Sequence, residues 1–256
     1  MERPLPAADQ SDIQTRMSLQ SPLTPADRLI VALDVPTVDV ALRAVDTLDN
    51  ISFFKIGLQL FVTGGLPTLL ESLRGKRVFV DLKIPGDISN TIASVIDVFV
   101  NAGVTFVTLS ESMPLPAIRA ARAARDARAS AKPKLLIVPV LSSLDASDVP
   151  TLAGAVDVET YILRRARAAI DAGCDGIIAS GDAIRMCREG LPEAIIVSPG
   201  IRPAGATTDD HKRHTTPTEA CRLGADFLVV GRPILKSPNP RDAADRIIEE
   251  IAHALP

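Results

Sequence analysis

Between Arg28 and Gly231 the sequence passes eight times through a short run of Val, Ile, Leu and Phe with hardly a polar alternate. The runs are RLIVALD (28–34), ISFFKIG (51–57), KRVFVDL (76–82), VTFVTLS (104–110), KLLIVPV (134–140), DGIIAS (175–180), AIIVSP (194–199) and DFLVVG (226–231). A strand with one wet face alternates apolar and polar residues, whereas an uninterrupted run reads as a parallel strand covered on both faces. Amphipathic stretches lie between the runs. In 38–48, Val38, Ala41, Leu42, Val45 and Leu48 fall on one helical stripe. The segment 159–172 behaves similarly and meets Gly173, a residue suited to a helix C-terminus. Strands alternating with helices predict parallel pairing through right-handed crossovers. Eight such units in about 230 residues fit one closed (β/α)8 TIM barrel better than an open sheet.

Composition agrees with a single large domain and removes several function classes. Of 256 residues, 46% are hydrophobic, enough for a sizeable core. A net charge of −3 offers no general attraction to nucleic acid or anionic lipid. With 3% aromatic residues and no Trp, base-stacking platforms are scarce as well. Cys174, Cys187 and Cys221 form no C-x-x-C pair, and His211, His214 and His253 complete no zinc pattern, so the thiols read as small core residues in a reducing compartment. No apolar run approaches the ~18 residues of a membrane span. Residues 1–25 read as a polar, flexible tail in which Met17 is an alternative start, and 26–256 as the barrel. The expected location is cytoplasmic.

In such barrels chemistry gathers at the C-terminal ends of the strands. Reading those ends in order gives Asp34, Lys55, Asp81 with Lys83, Ser110 with Glu111, Ser142, Ser180, Pro199 with Arg202, and Gly231 with Arg232. Lys55 interrupts an apolar strand, so it either reaches out to water or turns into the barrel mouth to meet carboxylates. Asp81 and Lys83 are two apart and share one side of their strand. Asp87 follows just before a helix that opens over 88–91. These five alternating charges sit at three successive strand ends. A ring of ion pairs closing the barrel is one explanation; burying so many charges is costly unless a substrate repays it, which favours a site. At the other side of the mouth, Gly-Ile-Arg202 after strand seven and Gly231-Arg232 after strand eight suit a phosphate, because glycine admits backbone N–H groups and arginine supplies a fork of donors.

With these residues in place the chain resembles the orotidine 5′-phosphate decarboxylase family over 28–250. VALDVP, FKIGLQLF, VDLKIPGDISNT, VPVLSSL, VSPGIRPAG with DDHKR and TTP, and VVGRPI occur in the family's order. The resemblance implies decarboxylation of orotidine 5′-monophosphate to UMP and CO2 without metal or cofactor, the last step of de novo pyrimidine nucleotide synthesis. It assigns Asp34 and Lys55 to the ribose hydroxyls and to orienting the charged tetrad. Asp81 would lie beside the substrate carboxylate, and Lys83 would protonate the carbon that loses CO2. Asp87 and Thr91 would reach across a homodimer interface into the partner's site. Ser142 would contact the pyrimidine, and Arg202 and Arg232 the phosphate.

The sequence departs from the family pattern in three places. DLKIPGD puts three residues between Lys83 and Asp87 where two are usual, which the Pro85-Gly86 turn is expected to absorb as a bulge. The histidine usual after strand four is replaced by Ser110, Glu111 and Ser112, and a position often occupied by Gln is His211. Two other readings stay open at this point. One is a Mg²⁺-dependent sugar-phosphate lyase or decarboxylase of the same superfamily; the other is a barrel that binds a nucleotide without turning it over. His211 generates a pH prediction. An imidazole on the phosphate binds more strongly when protonated, so the Michaelis constant for substrate should rise as pH climbs from about 5.5 to 8. A flat profile over that range would show that His211 does not bear on the phosphate.

Overall fold

The computed structural model of the chain describes residues 23–128, 130–140, 157–203 and 215–255. Eight strands form a closed, all-parallel barrel: β1 (Leu29–Ala32), β2 (Phe53–Gly57), β3 (Arg77–Ile84), β4 (Phe106–Leu109), β5 (Lys134–Ile137), β6 (Gly176–Ile178), β7 (Ile195–Ser198) and β8 (Phe227–Val230). Each strand pairs with its neighbours in sequence, and β8 closes on β1. Around them lie α1 (Pro25–Arg28), α2 (Val38–Thr47), α3 (Leu58–Val62), α4 (Leu66–Ser72), α5 (Ser89–Asn101), α6 (Leu115–Ala127), α7 (Val158–Ala172), α8 (Ala183–Gly190), α9 (Pro217–Arg222), α10 (Arg232–Leu235) and α11 (Pro240–Ala254). All eight apolar runs hold the strand expected of them. The helices begin and end on local chemistry. Thr37 accepts the Val40 N–H at the start of α2, and Thr216 with Glu219 forms a reciprocal capping box at α9. Gly173 ends α7 with φ of 119°, a backbone state that a Cβ would strain.

Alternation along each strand sorts its residues between two cores. Leu29, Val31 and Leu33 of β1 and its extension join the outer core packed under the helices, while Ile30 and Ala32 point into the barrel. Residues paired in register share a face, so the inward set continues through Phe53, Phe79, Phe106, Leu136, Val197, Phe227 and Val229. Four phenylalanines fill the centre. Phe106 stands 5.2 Å from Phe53 and 5.1 Å from Phe227 between ring centroids, with tilted and edge-to-face contacts. Each ring contributes about 1.5–3 kcal/mol by burial. The barrel is thus a packed core, and the strands are apolar on both faces because both faces are covered.

The N-terminal end of the barrel is closed by charges that neutralise one another. The Arg77 guanidinium lies 4.6 Å from the Phe53 ring centroid and bonds Asp27 and Ser52. Asp175 pairs with Arg125 and Lys134 and also accepts the Leu135 N–H. Asp226 repeats the device two strands on, accepting the Ile196 N–H and pairing with Arg188 at 2.7 Å. Leu23 packs against the inner core from below. Residues 1–22, most of the expected tail, lie outside the described residues.

The three cysteines are free thiols, with Cys174 and Cys187 buried. Burial pushes the Cys174 thiol up to about 12 and the Cys187 thiol to about 11, which leaves both un-ionised at neutral pH. Among the described residues no helix is long and apolar enough to cross a membrane.

Candidate active site

Most inward positions one step above the phenylalanine layer carry polar side chains. Two residues beyond Ala32 comes Asp34; beyond Phe53, Lys55; beyond Phe79, Asp81; beyond Phe106, Thr108; beyond Ile178, Ser180; and beyond Val229, Gly231. The same period that buries the rings therefore lifts a charged cluster to the barrel mouth. Lys55 Nζ lies 3.0 Å from Asp34 Oδ1 and 3.5 Å from Asp81 Oδ2. Lys83 Nζ lies 3.0 Å from Asp81 Oδ1. Four of the five charges expected together form one chain of contacts across β1, β2 and β3.

Burial decides which members hold the cluster and which can meet a ligand. The Lys55 and Asp81 side chains are 9% and 16% exposed, against 55% for Asp34 and 42% for Lys83. Burial on its own would push the Lys55 ammonium toward losing its proton, but the Asp81 and Asp34 carboxylates outweigh it and hold its pKa above the ordinary lysine value. Burial likewise works against the Asp81 carboxylate, and Lys55, Lys83 and the Thr108 hydroxyl together bring its pKa below the ordinary value. Both stay ionised at neutral pH. Asp34 and Lys83 carry the accessible ends of a fixed, alternating array.

The backbone at Lys83 is irregular. β3 and β4 pair at Phe79↔Phe106 and Val80↔Val107 and resume at Ile84↔Leu109, so residues 81–83 face Thr108 alone. Lys83 is the one non-glycine residue among those described with a positive φ, at 47°. A left-handed conformation of this kind costs about 1–3 kcal/mol and persists where the surroundings enforce it, most often at functional positions. Simple alternation placed Asp81 and Lys83 on one side of their strand; their contact is in fact made through this bulge. Its extra residues precede the Pro85-Gly86 turn that was expected to take up the slack.

Asp87 does not join the cluster within this chain. Beyond Pro85 the chain turns outward through Gly86, where a Cβ would lie 2.6 Å from Ile92 Cδ1, and Asp87 emerges exposed. It makes no ion pair with either lysine, and Thr91, one turn into α5, is exposed too. At the phosphate end, Arg202 is buried, its N–H bonded to the Thr215 carbonyl and its Nη1 to the Ile201 carbonyl at 2.9 Å. Pro199 and Arg232 are half-buried at the ends of β7 and β8. Gly231 sits over the mouth, where a Cβ would lie 3.8 Å from Asp34 Oδ2. Ser142 and His211 lie outside the described residues, as does His214. In place of the histidine usual after strand four, Ser110 Oγ bonds Glu111 Oε2 and Ser112 Oγ, each at 3.0 Å.

The mouth thus holds a buried lysine between two carboxylates and a second lysine at the lip. Residues 27–247 match the Orotidine 5′-phosphate decarboxylase / HUMPS family. The chain belongs to that family. It is 45% identical over 232 residues to a protein of Rhodopseudomonas palustris (strain TIE-1) named orotidine 5′-phosphate decarboxylase, covering 89% of this chain and 95% of that one. A protein of the same name from Afipia carboxidovorans is 42% identical over 238 residues, covering 92% and 99%. The crystal structure of orotidine 5′-phosphate decarboxylase from Lactobacillus acidophilus superposes with a TM-score of 0.75 at 29% identity, covering 87% of this chain and 98% of that one.

Two residues escaped the sequence reading. Thr108 looks like an ordinary β-strand threonine until alternation places it on the inward face level with Lys83. Gly57 looks like an ordinary strand end. A Cβ there would lie 2.9 Å from Asp34 Oδ1, closer than real Cβ contacts come, and 3.3 Å from Lys55 Nζ, a tight contact. Gly57→Ala should therefore displace the Asp34 carboxylate from Lys55. Displacements of this size can cost on the order of 100-fold in rate. Steady-state kcat/KM on orotidine 5′-monophosphate should fall by at least tenfold on that scale while the melting temperature stays near wild type. Unchanged kinetics would mean that the Asp34–Lys55 contact is not needed.

Proposed function

We propose that this chain decarboxylates orotidine 5′-monophosphate to UMP and CO2, closing de novo pyrimidine nucleotide synthesis, with Lys83 as the proton donor. The observation that carries the reading is the contact of Lys83 Nζ with Asp81 at 3.0 Å, backed by Lys55 on the other oxygen of the same carboxylate. Loss of CO2 from a ring carbon with no adjacent electron sink leaves a poorly stabilised carbanion. An ammonium held at that carbon stabilises the charge as it grows and then delivers the proton. Asp81 keeps Lys83 at the site, and its own negative charge lies beside the substrate carboxylate, which is relieved when CO2 departs. Asp34 and Lys55 hold the ribose hydroxyls. Arg202 and Arg232, with Pro199, Gly231 and His211 around them, take the phosphate, and Ser142 the pyrimidine. Binding energy from the distant phosphate can then be used to close the site over the ring. The reaction so described uses no metal and no cofactor.

The protein works as a homodimer in this reading, in the cytoplasm. The support is the surface around Asp87. Leu58, Phe61 and Val62 of α3 and Ile88 at the start of α5 are exposed large apolar side chains on the loops that follow adjacent strands β2 and β3, and Val98 extends them along α5. Exposed large apolar side chains gathered on neighbouring elements are the kind of surface that protein contact covers. Its cover by a second copy would carry Asp87 and Thr91 toward the partner's lysines.

Two measurements test these claims. Absorbance loss of orotidine 5′-monophosphate with excess EDTA should proceed with wild-type protein and fall by a factor on the order of 1,000 or more in Lys83→Ala, the scale of losing a general acid that also stabilises charge. Turnover only after adding Mg²⁺ and a sugar phosphate would instead support the lyase, and tight UMP binding without turnover a silent barrel. For the shared site, mixing inactive Lys83→Ala with inactive Asp87→Ala should regenerate activity, because a mixed dimer contains one intact site. No recovery after verified subunit exchange would refute the crossing of Asp87.

A further inference from the structure

Thr108 is fully buried, and its hydroxyl makes two hydrogen bonds that together fix the geometry of the proposed proton donor. Its Oγ1 accepts the Lys83 backbone N–H at 2.9 Å. The same hydroxyl donates to Asp81 Oδ1 at 2.9 Å. A hydroxyl has a single proton, and with the amide occupying a lone pair that proton is left for the carboxylate. The direction of the relay is therefore set, from amide to hydroxyl to carboxylate. The β3 bulge makes the first bond necessary. Because residues 81–83 face Thr108 alone, the pairing that serves the rest of β3 is interrupted at Lys83, and the side chain of Thr108 serves its amide instead. The second bond shares Asp81 Oδ1 with Lys83 Nζ, leaving Oδ2 toward Lys55.

We propose that Thr108 is a positioning residue for the decarboxylation: it holds Lys83 in its left-handed backbone conformation and sets the plane of the Asp81 carboxylate, so that ammonium and carboxylate are presented together to the reacting carbon. The inference rests on the decarboxylase reading above. It separates Thr108 from ordinary buried strand threonines, whose hydroxyls satisfy only local backbone. It also separates the hydroxyl from the methyl group, since valine keeps the shape and the β-branch and loses both bonds.

The test compares Thr108→Val and Thr108→Ser with the wild-type dimer or monomer as purified. In Thr108→Val, kcat should fall by roughly 10- to 100-fold, the scale of a misplaced reacting group, with KM changed by less than about threefold because phosphate and ribose contacts are untouched. Thr108→Ser, which keeps the hydroxyl, should return kcat to within a few-fold of wild type. The pH profile gives a second readout. Asp81 faces Lys55 from β2 with Asp34 behind it from β1, Lys83 on its own strand, and Thr108 from β4. Removing one of the groups that stabilise its charged form should move its titration upward in the valine variant and not in the serine variant. Carboxyl 13C NMR follows that titration without substrate, so it decides the role of Thr108 even if wild-type protein fails to turn over orotidine 5′-monophosphate, an outcome that would refute the function and not this contact. A valine variant with wild-type kcat and an unmoved Asp81 titration overturns the proposal. Equal losses in valine and serine variants, tracking a lowered melting temperature, overturn it as well by reducing Thr108 to packing.

Discussion

An ammonium cannot stand uncompensated one step above a layer of phenylalanine rings, and the top of this barrel is organised around that fact. Lys55 is level with Ala32 and Phe79 in the sheet and 9% exposed. It needs Asp34 on one neighbouring strand and Asp81 on the other. Once Asp81 is committed to Lys55 through one oxygen, its other oxygen is the place where Lys83 and Thr108 meet. A Cβ at Gly57 would crowd the Asp34 carboxylate and the Lys55 ammonium, so a side chain there would shift their contact. The cluster is a consequence of one buried cation, worked outward strand by strand.

The two ends of the barrel use charge for different ends. At the N-terminal end, Asp175 and Asp226 each take a backbone N–H of the preceding strand and an arginine from a helix, so carboxylate, amide and guanidinium satisfy one another. Such a constellation has no charge to spare for a ligand. At the C-terminal end the carboxylates of Asp34 and Asp81 are bonded to lysines whose exposure rises toward the lip, and Asp34 is more than half open to solvent. Equivalent residue types thus serve as a fastening at one end and as a solvent-accessible array at the other. What separates them is the number of unspent donors and acceptors.

Much of this was legible in the sequence because two periods dominate it. The unbroken apolar runs read as strands covered twice, and their C-terminal ends located the polar residues of the mouth. The sequence leaves Lys55 between water and the mouth, and its inward phase, two residues beyond Phe53, sets it in the mouth. Thr108 obeys the same phase and was passed over because threonine is unremarkable in a strand; its significance comes from the bulge opposite, which no periodicity announces. Gly57 was passed over because its role is an absence of atoms. Asp87 was grouped with the cluster by nearness in sequence, yet the turn at Pro85 and Gly86 carries it outward to an exposed position.

The bulge is also where rigidity and function meet. A positive φ at Lys83 is sustainable because β3 is clamped on both sides below it, to β2 through Gly57↔Asp81 and to β4 through Val80↔Val107, with Phe79 locked among the rings beneath. The strain is confined to three residues between a packed core and the solvent. The proton donor proposed at Lys83 must hold its position to within a fraction of an ångström while the ring carbon changes from trigonal to carbanionic and back, and a long lysine side chain is a poor ruler for that purpose. Fixing the backbone that carries it, and then its carboxylate partner, through one hydroxyl removes the two freedoms that matter most. Alternation sets Asp81 and Lys83 on one side of β3, and the bulge ties the Asp81 carboxylate and the Lys83 amide to the single hydroxyl of Thr108.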